Sequence, residues 1–188
     1  MRKCSIDLVT GFLSSGKSSF INFYLDNINN KKDIVLIQCE KGKELINNKI
    51  ITLKEFKSNE ELTEERILRI IKFYSPNKII IECNGVGDIT KIIEIINNKK
   101  LKQYFKLGTI ITMVDCSTFN IFYKNIASIM LPYIKLSNLI VLNKCNLVSN
   151  DMIENNKMIL EELNLKAHIF KCNLRADLIK IFDKRIII

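Results

Sequence analysis

The residues with the clearest chemistry are Gly11-Phe12-Leu13-Ser14-Ser15-Gly16-Lys17-Ser18, which match the phosphate-binding loop G-x4-G-K-[ST]. Gly11 and Gly16 admit backbone angles that turn amides inward, and such N–H groups cradle a β-phosphate at a helix N-terminus. Lys17 supplies a point charge to the β- and γ-phosphates, and the Ser18 hydroxyl is a ligand for Mg²⁺. A bare match of this kind also arises by chance. Here the loop directly follows an apolar strand and opens an amphipathic helix, which is the context the chemistry needs.

Two further segments fall where a nucleotide domain needs them. The run KIIIECNG ends a buried strand with Glu82, and Gly85 follows. A carboxylate at a strand end can hold Mg²⁺ or its water, and a glycine N–H can report a γ-phosphate. An ordinary Glu-Cys-Asn-Gly turn has the same letters. The run LIVLNKCN ends another strand with Asn143, Lys144 and then Asn146, the guanine-reading N-K-x-D pattern with Asn in its last place.

These segments need elements to position them. Apolar β-branched runs at 3–10, 33–38, 49–53, 78–81, 108–114, 138–142 and 167–170 are expected strands. Helices are expected at 17–27, 59–75, 88–105, 118–134, 151–163 and 174–182. In the fourth, Ile121, Phe122, Ile126, Ile129 and Met130 should face inward; in the second, Glu60, Glu61, Glu64 and Glu65 sit at the positive end. The closing run at 185–188 is either an edge strand or the start of something longer. Strands alternating with helices imply an α/β fold of three layers, a P-loop NTPase with a mostly parallel central sheet covered by helices on both faces. No repeat or linker divides it, so a single domain over 1–188 is expected.

The chain has 188 residues, 47% apolar, with 6 Gly and 2 Pro, which excludes a disordered or collagen-like chain. No apolar run reaches the roughly 18–20 residues that cross a bilayer. The opening resembles a signal peptide, but Asp7 interrupts it and GKSS stands where a cleavage site would be. A cytoplasmic protein without membrane partners is the expectation. The 29 Lys and Arg against 20 Asp and Glu leave a net charge of +9, spread as Lys among Asn and Ile. With no basic run interleaved with aromatics, solvated lysines are favoured over a polyanion surface, and no nucleic-acid partner is expected.

The six cysteines show no CxxC spacing and no secretion signal, so a disulfide framework is not expected. Cys39, Cys83, Cys116, Cys145 and Cys172 each fall at or just past a strand end, on one rim. Small residues suit tight strand exits; a thiolate site for zinc or cobalt, or a redox site, is the alternative. His168, the single histidine, is expected to pack within its strand.

Taken together, TGFLSSGKSS, IIIECNGVGD, MVDCSTFN and IVLNKCNLVS resemble, in order and spacing, the CobW/HypB/UreG family of metal-associated P-loop GTPases. The likeness runs over nearly the whole chain, from Ile6 to about Phe182, and is nearest to the nucleotide domain of CobW-like proteins. It implies Mg²⁺-GTP as ligand and a role in metal or metallocofactor delivery, through a protein client or a homodimer. By that resemblance, Gly11, Ser14, Ser15, Gly16, Lys17, Ser18 and Ser19 bind phosphates, Glu82 with Gly85 forms an E-x-x-G motif, and Asn143 and Lys144 pack on the base. Glu40-Lys41-Gly42 resembles the family's E-x-G segment, whose Glu lies near the metal and γ-phosphate, so Ser18, Glu40 and Glu82 form the implied metal set.

Three departures bear on function. The interval after Gly42 lacks the CobW-like C-x-C-C motif, so metal chaperoning by that thiolate route is absent. The family's additional C-terminal domain is not contained before Ile188. Asn146 replaces an Asp that accepts from guanine N1–H and the 2-amino group, a loss of about 1–3 kcal/mol, which leaves ATP open beside GTP. The leading reading is a slow regulatory GTPase, since Arg66, Arg69 and Arg175 occupy no motif position for an arginine finger. A nucleotide-binding scaffold without useful hydrolysis, and a small-molecule kinase, are the alternatives.

Overall fold

The computed structural model describes residues 3–28, 33–40, 51–99, 101–172 and 175–183. Strands β1 (Cys4–Gly11), β2 (Ile34–Gln38), β3 (Thr52–Glu55), β4 (Lys78–Glu82), β5 (Phe105–Asp115), β6 (Leu139–Asn143) and β7 (His168–Lys171) form one sheet in the order β3-β2-β4-β1-β5-β6-β7. Every pairing is parallel, so the sheet is wholly rather than mostly parallel. Helices α1 (Lys17–Asn27), α2 (Glu64–Tyr74), α3 (Ile89–Asn97), α4 (Phe119–Leu136) and α5 (Asn150–Leu163) each lead from one strand into the next, as parallel neighbours require, and α6 (Ile179–Asp183) follows β7.

Side chains alternate across the sheet, so each strand feeds two cores. Ile79 and Ile81 of β4 pack with Ile67 and Ile71 of α2 and Ile92 and Ile96 of α3. Ile80, between them, packs with Phe20, Ile21 and Leu25 of α1 on the opposite face. Under α4 and α5 a third cluster gathers Ile140, Leu142, Phe119, Ile134 and Leu160. Among the described residues, no helix is long and apolar enough to cross a membrane.

Asp7 does more than interrupt an apolar strand. Its carboxylate is buried and accepts from Lys78 Nζ at 2.8 Å, Tyr24 Oη at 2.9 Å and the Thr109 N–H at 2.9 Å. A buried charge persists only when so satisfied. The register of β1 on β5 shifts between Ile6 and Leu8, placing Gly108 and Thr109 opposite Asp7 as a bulge. A Cβ on Gly108 would run into Asp7 Oδ1.

Several expected boundaries move for local reasons. The 59–75 helix is a 3-10 turn at Asn59–Glu61 followed by α2, because the Thr63 hydroxyl caps the helix by accepting from the Arg66 N–H. Only Glu64 and Glu65 therefore lie in its first turn. The 88–105 helix ends at Asn97, and β5 starts earlier than Gly108 because the bulge carries the strand through that glycine. In α4, Ile126 has φ −139°, which breaks the helical phase. Ile121 and Ile129 are consequently exposed, and Phe119, Met130, Tyr133 and Ile134 face inward. His168 lies exposed on edge strand β7 rather than packed. Strand β3 begins at Thr52, later than expected; Lys41, Gly42 and the closing run 185–188 lie outside the described residues.

Candidate functional site: the phosphate loop and its rim

Parallel strands bring their carboxyl ends to one rim, where ligands of such sheets bind. The loop from Gly11 to Gly16 crosses that rim between β1 and α1. Gly11 has φ +128° and Gly16 φ +101°, and Ser14 joins them at φ +61°. Each glycine is also needed for space: a Cβ would meet the Met113 carbonyl at Gly11 and the Asn143 amide at Gly16. Ser15 Oγ is buried within the loop and has no hydrogen-bond partner among the described residues, an orphan hydroxyl of the kind a bound phosphate satisfies. Ser19 is half-buried at the start of α1.

Lys17 is only 4% exposed, and its Nζ donates to the Gly11 carbonyl at 2.8 Å and the Phe12 carbonyl at 3.1 Å. Glu40 Oε2 lies 3.0 Å from the same ammonium. One residue on, Ser18 Oγ donates to Glu82 Oε1 at 2.8 Å, and Gln38 Nε2 donates to Glu82 Oε2 at 2.6 Å. Burial holds the Glu82 carboxyl above the usual carboxylate range against the pull of Gln38, Ser18 and the Lys17 charge. A hydroxyl beside a buried carboxylate is a donor set that suits Mg²⁺. Of the expected metal set, Ser18 and Glu82 stand together, while Glu40 is held by Lys17 and Gly85.

The loop after β4 lies against the phosphate loop. Gly85 N–H donates to Glu40 Oε2 at 2.9 Å, and a Cβ on Gly85 would sit 2.6 Å from the Gly11 carbonyl. Two residues that sequence reasoning does not single out hold this loop. Asn59 Oδ1 accepts from the Asn84 N–H at 2.8 Å, and the Tyr133 hydroxyl donates to the carbonyls of Gly87 and Asn84. Gln38 is a third such residue, although a polar residue ending an apolar strand, in register with Glu82, is a usable signal.

On the other flank, Asn143 Nδ2 donates to the Ser15 carbonyl at 2.9 Å, and Lys144 Nζ to the Ser14 carbonyl at 2.8 Å. Lys144, at φ +59°, also pairs with Asp115 at 2.5 Å. Burial works against ionising Asp115, but bonds from Lys144 and Ser117 outweigh it and hold its carboxyl below the usual range. Asn146 is exposed on the 3-10 turn that follows.

The rim cysteines fall where expected: Cys39, Cys83, Cys116, Cys145 and Cys172 each follow a strand and are buried. Burial pushes the Cys39 thiol up to about 12, Cys145 and Cys172 to about 11, and Cys83 well above its ordinary value. Cys116 Sγ accepts from Asn156 Nδ2 at 3.2 Å. Among the described residues, no group of three His, Cys, Asp or Glu is placed to hold a metal ion.

The family model for the CobW/HypB/UreG nucleotide-binding domain matches residues 5–171. The zinc-regulated GTPase metalloprotein activator 1 of Dictyostelium discoideum is 24% identical over 217 aligned residues, which cover 90% of this chain and 46% of that protein. The protein of the same name in Schizosaccharomyces pombe is also 24% identical, over 88% of this chain and 45% of its own. The chain thus spans about half the length of the curated relatives it matches. Zn(II)-bound YjiA GTPase from E. coli shares the fold at a TM-score of 0.71 and 20% identity, over 90% of this chain and 57% of that one. The hydrogenase maturation factor HypB from Archaeoglobus fulgidus superposes at 0.65 and 17% identity, over 98% and 90%.

Proposed function

The chain belongs to the CobW/HypB/UreG family, and on that footing we propose that it binds Mg²⁺-GTP in the loop of residues 11–18 and hydrolyses it slowly to regulate metal delivery. The observation that carries this reading is convergence: Lys17, the Ser18–Glu82 pair and the Gly85 N–H reach the mouth of one loop from two separate segments, the start of α1 and the end of β4 with its loop. Lys17 would exchange its two carbonyl bonds for phosphate oxygens, a stronger charge-assisted pairing. Ser18 and Glu82 would hold Mg²⁺, which when bound neutralises charge between the β- and γ-phosphates. Gly11, Ser14, Ser15, Gly16 and Ser19 line the phosphates, with Ser15 Oγ the unsatisfied donor waiting for one.

Asn143 and Lys144 brace the outer wall of the loop and would flank the base. Asn146 supports a second reading on base preference: its amide offers one acceptor where guanine presents two donors, so ATP is the competing ligand. Slow turnover is favoured because Arg66 on α2 is engaged by Glu61 and Arg69 shares that helix. Relatives that are zinc-regulated metalloprotein activators and a hydrogenase maturation factor support a client metalloprotein, or a second copy of the chain, as partner.

Calorimetric titration of GTP, ATP and non-hydrolysable analogues with Mg²⁺, into wild type and Asn146→Asp, tests the reading. Micromolar GTP binding that sharpens in Asn146→Asp supports it; equal ATP binding assigns the base site otherwise. GTP hydrolysis no faster than in Lys17→Ala would leave a nucleotide-binding scaffold.

A further inference from the structure

One oxygen does double duty at the mouth of the loop. Glu40 Oε2 lies 3.0 Å from Lys17 Nζ and accepts the Gly85 N–H at 2.9 Å. These donors come from different segments, the start of α1 and the loop after β4, and both are donors that the sequence motifs assign to a γ-phosphate. A carboxylate oxygen and a phosphate oxygen are alike in what they take: an anion's short bonds from an ammonium and a backbone N–H. The Lys17 ammonium is 4% exposed, so little water competes for it, and without Glu40 the partners at hand are two neutral carbonyls.

We infer that Glu40 is an internal stand-in for the γ-phosphate and sets the preference of the site between nucleoside tri- and diphosphate. This rests on the nucleotide reading above. A triphosphate must evict the Glu40 carboxylate from both Lys17 and Gly85 before its terminal phosphate can use them. A diphosphate leaves the Gly85–Glu40 bond in place. Glu40 is therefore a specificity-determining residue whose charge penalises the triphosphate, and release of its carboxylate is what distinguishes the triphosphate-bound protein. Its place in the fold fits this role. Glu40 follows Cys39 just beyond the end of β2, so its carboxylate is presented from a strand exit on the rim.

The test is calorimetric titration of GDP and a non-hydrolysable GTP analogue, with Mg²⁺, into wild type and Glu40→Gln. The expected result is a roughly tenfold gain for the analogue in Glu40→Gln with GDP changed less than about threefold, GDP binding also certifying that the variant is folded. An unchanged ratio, or an analogue that binds Glu40→Gln more weakly, overturns the inference while leaving nucleotide binding intact. No binding of either nucleotide to wild type refutes the nucleotide reading and this inference with it. Hydrogen exchange at the Gly85 amide gives a second readout: it should be protected in wild type and in its GDP complex, and faster in nucleotide-free Glu40→Ala, which unlike Gln leaves no side-chain acceptor. Equal exchange in the two free proteins would remove the contact on which the inference stands.

Discussion

Replacing Gly85 by Ala tests the site through a single methyl group. Gly85 does not use a left-handed backbone, so Ala is conformationally allowed and the perturbation is purely spatial. Its Cβ would stand 2.6 Å from the Gly11 carbonyl oxygen and 3.1 Å from both Leu13 N and Phe12 C. All three atoms are backbone, so no rotamer change relieves the crowding; the two loops must separate by roughly half an ångström or more. Forcing a methyl into a packed contact costs about 1–3 kcal/mol. Separation on this scale also weakens the Gly85 N–H bond to its acceptor, and misplacement near 1 Å can cost about a hundredfold in rate. Gly85→Ala should therefore lower urea stability by about 1–3 kcal/mol and GTP turnover by ten- to a hundredfold. Gly87→Ala should also lose stability, because its Cβ would meet the buried Asn59 side chain, which cannot turn away without giving up the Asn84 N–H. A Gly85→Ala protein with wild-type stability and turnover would refute the placement of these loops.

Lys78→Met would strand the buried Asp7 carboxylate with two neutral donors and should cost about 3–5 kcal/mol in urea unfolding; converting Asp7 to Leu in the same chain should recover much of it. Native protein should resist thiol alkylation at pH 8 at all six cysteines, which are buried, and react fully once denatured; rapid labelling of Cys39 or Cys83 in the native state would contradict their raised pKa values. Asp115 is held below its ordinary value of 3.8, so the folded state binds fewer protons there than the unfolded chain. Its stabilising contribution is present above about pH 3.8 and lost as pH falls through the lower folded value, so the stability gap between wild type and Asp115→Asn should narrow in acid.

The phosphate loop is legible in the sequence because its chemistry restricts residue type and spacing together: two positive-φ glycines, one lysine and one hydroxyl admit few substitutes. Glu82 and Gly85, and Asn143 and Lys144, are legible because strand ends of a parallel sheet must share a rim. Asn59 and Tyr133 are not, since each acts through a contact made only when distant segments meet, Tyr133 reaching back to Asn84 and Gly87 from α4. A single helical period extended through Ile126, where the backbone leaves the helix, puts Ile121 and Ile129 inward although they are exposed, while Met130 and Phe122 do pack on the core. A charge inside an apolar run carries no mark of its partner, so Asp7 gives no hint of Lys78 and Tyr24.

The Asp7 network also has a mechanical consequence. It ties β1, β4, β5 and α1 together near the middle of the sheet, short of the rim, through Asp7, Lys78, Thr109 and Tyr24. The sheet is thus clamped below the rim, and the phosphate loop stands at the tip of a lever. Four residue steps of strand carry the chain from Asp7 to Gly11, about 13 Å of extended chain. A tilt of only about 5° at the clamp would carry the tip by about 1 Å, the distance over which catalytic alignment is lost. Among the described residues the hydrogen bonds of Asp7 go to Tyr24, Lys78 and Thr109 and to no group of the loop, so loosening that anchorage should reach Lys17, Glu82 and Gly85 only through the strands.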